Sequence, residues 1–237
     1  MSQHKGKFEY MKFNDRREPY KETIKQIKEL DYTLEEILEH FPAIVGHMSL
    51  SRFLGLYELY KKTLGVSGHI AEVGIYKGAS FLLFAKLVKI FESESLTQVH
   101  GFDWFQGMEE DSIDFKVEVG SYKESFSRLN KLIKAQNLEN ISFIHKMNVI
   151  EEMESFLDEN KHLQFKIVFL DAGTYDVVKK TLPLLWERLT PGGIFILDQY
   201  NHELSPGETM AVREILPNAK VKVLPNIWMP SGYIVKE

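Results

Sequence analysis

Ala71-Glu72-Val73-Gly74-Ile75-Tyr76-Lys77-Gly78-Ala79-Ser80 follows an apolar lead-in through Ile70 and precedes the helical run Phe81-Leu82-Leu83-Phe84. It reads as a strand, a tight glycine loop and a helix. Gly74 and Gly78 let the backbone turn with positive φ and come close to a ligand. An acid at the strand end, Glu72, can face an ammonium group or ribose hydroxyls, both of which S-adenosylmethionine carries. Tyr76 inside the loop and Ser80 at the helix start join the same candidate cofactor set. A nicotinamide dinucleotide would call for three glycines in G-x-G-x-x-G around its pyrophosphate. Taken alone, the pattern also suits an ordinary βα turn.

Further candidates stand where later apolar runs end. Asp103, in Gly101-Phe102-Asp103-Trp104, can accept from both hydroxyls of a ribose diol, and Trp104 can cover an adenine face. Asn148 can pair with an adenine edge or cap the helix that follows; both readings stand. Asp171 and Asp198 close the fourth and fifth runs, and Gln199 and His202 follow the fifth. Asp171 serves as cofactor contact or catalyst, and Asp198 as catalyst. His202 carries an imidazole, the side chain suited to proton transfer close to neutrality.

The elements that must position these groups follow from periodicity. Short apolar runs at 68–73, 98–103, 141–145, 166–170 and 193–197 read as strands, with helical segments at 79–91, 122–136, 150–160 and 175–189 between them. Ser121 with Glu124 forms a capping-box pattern for the second helix, and Thr33 with Glu36 forms one for a short helix ending at His40. Two closing strands are expected at 221–224 and 233–235. Alternation of strand and helix implies βαβ units and a mostly parallel sheet with ligands at the carboxyl ends of its strands. Residues 1–18 are polar and expected to be poorly ordered, and the first third of the chain is otherwise helical. The division expected is a helical extension over 1–66 and one compact cofactor-binding unit over 67–237.

Composition narrows the function classes. The 237 residues carry a formal net charge of -5 and no cysteine. Nucleic acid and anionic membrane are therefore not expected partners, and disulfides, thiolate metal sites and cysteine nucleophiles are excluded. The N-terminus lacks the apolar core of a signal peptide, and no run approaches the ~20 apolar residues of a membrane span. A cytoplasmic protein is the expectation. His40, His47, His100 and His162 belong to no constellation, and His145 packs near a strand end. Phe53, Tyr57 and Tyr60 suit core packing or a homodimer contact. Arg52 beside them could reach the active site, but a surface salt bridge is the favoured reading.

The segments A-E-V-G-I-Y-K-G-A-S, G-F-D-W-F-Q-G-M, L-D-A-G-T-Y, L-T-P-G-G-I-F-I-L-D-Q-Y and G-Y-I-V-K-E, in this order after the helix M-S-L-S-R-F-L-G-L, resemble the macrocin O-methyltransferase (TylF-like) family of class I S-adenosylmethionine methyltransferases. The resemblance runs from about Met48 to the C-terminus. It implies a Rossmann-like α/β fold with a seven-stranded sheet, the last strand antiparallel, helices on both faces and N-terminal helices over the cofactor. It implies methyl transfer to a small metabolite, often a sugar of an antibiotic or glycoconjugate. It also implies Mg2+ held by acids after strands four and five. Asp171 and Asp198 match two of those positions, and the Gln199 carbonyl could add a third oxygen. The family's usual proton acceptor would stand at Gly173, and the second of its paired acids at Gln199; this chain departs at both. The functions weighed are O-methylation of a sugar- or phosphate-bearing metabolite, N-methylation of an amino sugar, and nucleotide binding without methyl transfer.

Overall fold

The computed structural model describes residues 14–114, 118–203, 205–225, 227 and 229–237. The expectation for residues 1–18 lies outside the described residues up to 13, and from Asn14 onward the chain is helical.

Four helices come first: α1 (Asn14–Lys28), α2 (Leu34–Glu39), α3 (Phe41–Ile44) and α4 (His47–Lys62). The Thr33–Glu36 capping box forms as expected, with Glu36 N–H donating to Thr33 Oγ1 at 3.2 Å and Thr33 N–H to Glu36 Oε2 at 2.8 Å. Helix α4 turns Leu56, Leu59 and Tyr60 into the core. Tyr60 therefore belongs to the interior, while Tyr57 is half-buried and stacks on Phe91.

Strand and helix then alternate: β1 (His69–Val73), α5 (Ala79–Phe91), β2 (Val99–Asp103), α6 (Phe126–Ala135), β3 (Ser142–Lys146), α7 (Val149–Glu159), β4 (Phe165–Leu170), α8 (Tyr175–Arg188), β5 (Leu189–Leu197), α9 (Gly207–Ile215) and β6 (Gly232–Val235). The sheet order is β3-β2-β1-β4-β5-β6, parallel except for β6. Because β1 has β2 on one side and β4 on the other, the order reverses beside β1. Such a switch point opens a crevice at the carboxyl ends of the strands. One core layer packs α4, α5 and α6 on one face of the sheet, and the other packs α7, α8 and α9 on the opposite face.

Two expectations need correction. Among the described residues the sheet has six strands, not seven. The segment 221–224 forms a single bridge, Lys222 to Tyr233, through two backbone bonds of 2.8 Å. Pro225 follows directly and cannot donate to a ladder. The Ser121–Glu124 capping box does not form either. Helix α6 begins at Phe126, where Ser125 Oγ accepts from Arg128 N–H at 3.2 Å.

Three histidines with no sequence-level partner come together on one sheet face. The register pairs Ala71 with His100 and Phe102 with His145. His69, His100 and His145 thus sit two residues apart on successive strands. His100 Nδ1 and His145 Nε2 are 3.0 Å apart with parallel rings, and the His69 ring meets His100 edge-on. Elsewhere, fully buried Lys166 donates to both Glu92 oxygens at 2.5 and 2.6 Å. Among the described residues no helix is long and apolar enough to cross a membrane.

Candidate active site

A cavity of about 560 Å³ opens over the switch point. Its wall combines the exits of β1 to β5 with Ile24 of α1 and Met48, Ser49, Arg52 and Phe53 of α4. The N-terminal helices therefore do contribute to the site, as the resemblance implied.

At one end the chain leaving β1 turns through Gly74 at φ +84° and Gly78 at φ +79°. Gly78 is the left-handed N-cap of α5, a conformation in which a side chain is strained. Tyr76 also adopts positive φ, at 46°, and meets Tyr122 edge-to-face at 5.5 Å; both line the cavity. Asp103 is held between two backbone donors, Tyr76 N–H to Oδ2 at 3.0 Å and Phe105 N–H to Oδ1 at 2.6 Å. Burial pushes its pKa up, and these backbone bonds pull it back toward the ionised form. Each carboxylate oxygen keeps a lone pair for a further donor, which leaves room for a diol.

Trp104 lines the same end, with its indole N–H donating to Gly107 O at 2.6 Å. Asn148 takes the capping role. Its Oδ1 caps α7 by accepting from Ile150 N–H at 3.0 Å, and the residue also lines the cavity. Glu72 stands one layer behind the wall. It is fully buried, bonded to Ser80 Oγ at 2.7 Å, and pushed up to about 8, chiefly by burial. Ser80 itself lines the cavity and carries the influence of Glu72 to it.

Asp171 and Asp198 build the part of the wall at the β4 and β5 exits, and there Arg52 takes the less favoured of its two sequence readings, reaching the site instead of the surface. Arg52 reaches in from α4 and forks between the two carboxylates. One guanidinium nitrogen is 2.9 Å from Asp171 Oδ2, and the other is 2.5 Å from Asp198 Oδ1. The Arg52 side chain is 21% exposed and that of Asp198 3%, so this is a sheltered ion pair rather than a surface one. Burial raises Asp171 well above the usual carboxylate range, Arg52 opposes that, and the neighbouring carboxyl of Asp198 adds to it.

A divalent ion does not fit this donor set. Each aspartate already gives an oxygen to Arg52. The Gln199 backbone carbonyl accepts from His202 N–H at 3.2 Å, and its side-chain oxygen accepts from Ser205 Oγ at 2.9 Å. Among the described residues no three of His, Cys, Asp and Glu are arranged to hold a metal. The expectation of Mg2+ on Asp171, Asp198 and Gln199 is not supported. His202 follows the β5 exit but is not among the residues lining the cavity, whereas Asp171, Asp198 and Gln199 are.

Replacing Asp103 by alanine is expected to weaken cofactor binding by about 2–4 kcal/mol. The substitution removes the carboxylate read as the ribose acceptor and frees two backbone N–H groups. Calorimetric titration with S-adenosylhomocysteine would measure the loss, and an unchanged affinity would remove Asp103 from the site.

The structure is similar to "Crystal Structure of CalS11, Calicheamicin Methyltransferase", with a TM-score of 0.82, 24% identity and 91% of each chain covered. It is also similar to a structure of that protein described as a TDP-rhamnose 3'-O-methyltransferase, with a TM-score of 0.76, 24% identity and coverage of 91% of this chain and 93% of that one. The O-methyltransferase NovP follows with a TM-score of 0.63, 14% identity and coverage of 78% and 79%. No curated protein sequence matches the chain. At these identities the likeness establishes the fold. The family described as "Methyltransferase domain" matches residues 71–200, which run from the glycine loop through both aspartates to the β5 exit. That span is more than half of the chain, and the protein belongs to this family of methyltransferase enzymes.

Proposed function

We propose that the chain is an S-adenosylmethionine-dependent O-methyltransferase for a small polar metabolite, sugar- or phosphate-bearing. The observation that carries this reading is a cavity lined both by Asp103 and the glycine loop and by an Arg52-clamped carboxylate pair, Asp171 and Asp198. Similarity to CalS11, described as a TDP-rhamnose 3'-O-methyltransferase of calicheamicin biosynthesis, supports the acceptor class. Asp103 would hold the ribose, Trp104 and Asn148 the adenine, and the Gly74–Gly78 loop with Ser80 the methionine end. The bound cofactor supplies a methyl group on a positively charged sulfur.

The protein's own task is to present an acceptor lone pair and take up a proton. A neutral hydroxyl needs a base near it, and that base works best with a pKa near the working pH. Asp171 lines the cavity, and burial raises its carboxyl above the usual carboxylate range, the direction that favours proton uptake. Asp198, next to it and under the same guanidinium, orients it. Arg52 keeps the pair from repelling each other while the proton arrives. Phe53, Met48 and Met229 give this end apolar walls that limit water. His202 is the alternative proton acceptor and would need to reach the acceptor from behind the β5 exit.

Saturating S-adenosylhomocysteine should raise the melting temperature by roughly 5–10 °C, and NAD should not. A ligand at 100 times its Kd adds about 2.7 kcal/mol, and each kcal/mol moves a chain of this size by about 2–4 °C. Transfer of labelled methyl to a panel of free and nucleotide-linked sugars and amino sugars then separates oxygen from nitrogen acceptors. Stabilisation by NAD alone would reject the reading.

A further inference from the structure

Glu208 stands in the first turn of α9 with no solvent exposure. Its Oε2 accepts from Gln199 N–H at 2.6 Å, and its Oε1 has no hydrogen-bond partner among the described residues. The carboxyl occupies the space that a side chain on Gly173 would need. A Cβ at Gly173 would lie 2.5 Å from Glu208 Oε2 and 3.1 Å from its Cδ. Gly173 and Gln199 line the cavity, so the carboxyl stands directly behind its wall. It sits between the chain leaving β4, which carries Asp171, and the chain leaving β5, which carries Asp198.

A buried carboxyl with one open oxygen is a costly way to fill space, and an apolar side chain of similar volume would do so more cheaply. The groups that face Glu208 add to the cost. Asp198 from the β5 exit and Asp114 from the loop after β2 are both acids. The Asp114 oxygens are themselves occupied, accepting from Tyr175 N–H at 2.9 Å and Gly207 N–H at 3.0 Å. Glu208 is held to the backbone at Gln199 and at Asp198 itself, and that is where its effect must lie.

We propose that Glu208 is a positioning residue of the methyl-transfer site: through the Gln199 N–H it fixes the β5 exit so that Asp198 stays beside Asp171 under the Arg52 fork, and position 173 is glycine so that the Glu208 carboxyl can reach. The inference rests on the functional reading above.

The test uses full-length protein as wild type, Glu208→Gln, Glu208→Ala, Gly173→Ala and the double alanine variant. Three readouts are taken: amide exchange at Gln199, phenylglyoxal modification of Arg52 followed by peptide mass spectrometry, and S-adenosylhomocysteine affinity by calorimetry. Glu208→Gln keeps an acceptor for Gln199 and should stay within about twofold of wild type in all three. Glu208→Ala should speed both Gln199 exchange and Arg52 modification by about tenfold or more and leave the affinity within about threefold, because the cofactor end is untouched. Gly173→Ala should move the same way in the wild-type background and add less than about twofold in the Glu208→Ala background. Wild-type Arg52 protection in Glu208→Ala would overturn the proposal. So would a glutamine variant as loose as the alanine one, or equal costs of Gly173→Ala in both backgrounds. Failure of wild type to bind S-adenosylhomocysteine would instead reject the cofactor reading, while exchange and Arg52 protection still decide the role of Glu208.

Discussion

Replacing Arg52 by methionine is expected to lower methyl transfer by about 100-fold or more, equivalent to about 2.7 kcal/mol of transition-state stabilisation. The same substitution should cost about 3–5 kcal/mol of folding stability, the range for removing one partner of a sheltered ion pair. The cause is the geometry of the fork: without the guanidinium, Asp171 and Asp198 face each other with no counter-charge, and at least one must stay protonated. Arg52→Lys should recover only part of both losses, because an ammonium on a flexible stem cannot serve two carboxylates from a rigid planar fork. Cofactor affinity should move less, since Asp103 stands at the β2 exit, two strands away from β4. Urea unfolding, calorimetry with S-adenosylhomocysteine and labelled methyl transfer measure the three quantities. Activity of Arg52→Met within about threefold of wild type would mean that the ion pair is structural decoration.

The cofactor end of this site was legible in the sequence because its signals are local. Gly74 and Gly78 mark a turn whose positive φ depends on residue type. Asp103 is a polar residue that ends an apolar run, so strand periodicity alone puts it at the sheet's carboxyl edge. The acceptor end was less legible because its partners are joined only by the fold. Arg52 lies 119 residues before Asp171 and 146 before Asp198. A signal was nonetheless present. Met48, Arg52, Leu56 and Tyr60 are spaced by four on α4, so the arginine interrupts a buried stripe. Glu208 escaped for the same reason, sharing one face of α9 with Ala211, Val212 and Ile215. A charge on an apolar helical stripe marks a buried ionic partner elsewhere in the chain, and sequence spacing does not say where. The missing strand at 221–224 failed differently: its β-branched valines fit a strand, but Pro225 stops the ladder. The false capping box at Ser121 shows that a four-residue pattern is weak where tertiary contacts set the helix start.

The histidine diagonal carries the last prediction, because its acid response can be isolated by difference. Burial holds His100 down to about 3 and His145 down to about 4. In the unfolded chain both return to about 6.5. The unfolded state therefore takes up protons first, so the contribution of these rings is complete above pH 6.5 and is lost as the pH falls toward their folded values. The buried acids act in the opposite sense. Glu72, pushed up to about 8, penalises the folded state increasingly as pH rises from its unfolded value, and buried Asp171 and Glu208 share that sign. The wild-type pH profile sums both effects and is uninformative about either.

A His100→Phe variant removes one contributor and leaves the acids in place. Phenylalanine keeps a ring between Phe143, His145 and Phe165, and it deletes the buried, unpartnered Nε2 of His100. At pH 7 its stability should lie within about 1 kcal/mol of wild type, one hydrogen bond being lost and one buried orphan removed. At pH 4.5 it should be more stable than wild type by a further 2–3 kcal/mol or so, the linkage energy of a group near 6.5 when unfolded and about 3 when folded. Urea titrations of both proteins at the two pH values give that difference directly. A gap that stays constant between pH 7 and pH 4.5 would show that His100 titrates normally in the folded protein, and that the diagonal of rings is open to protons.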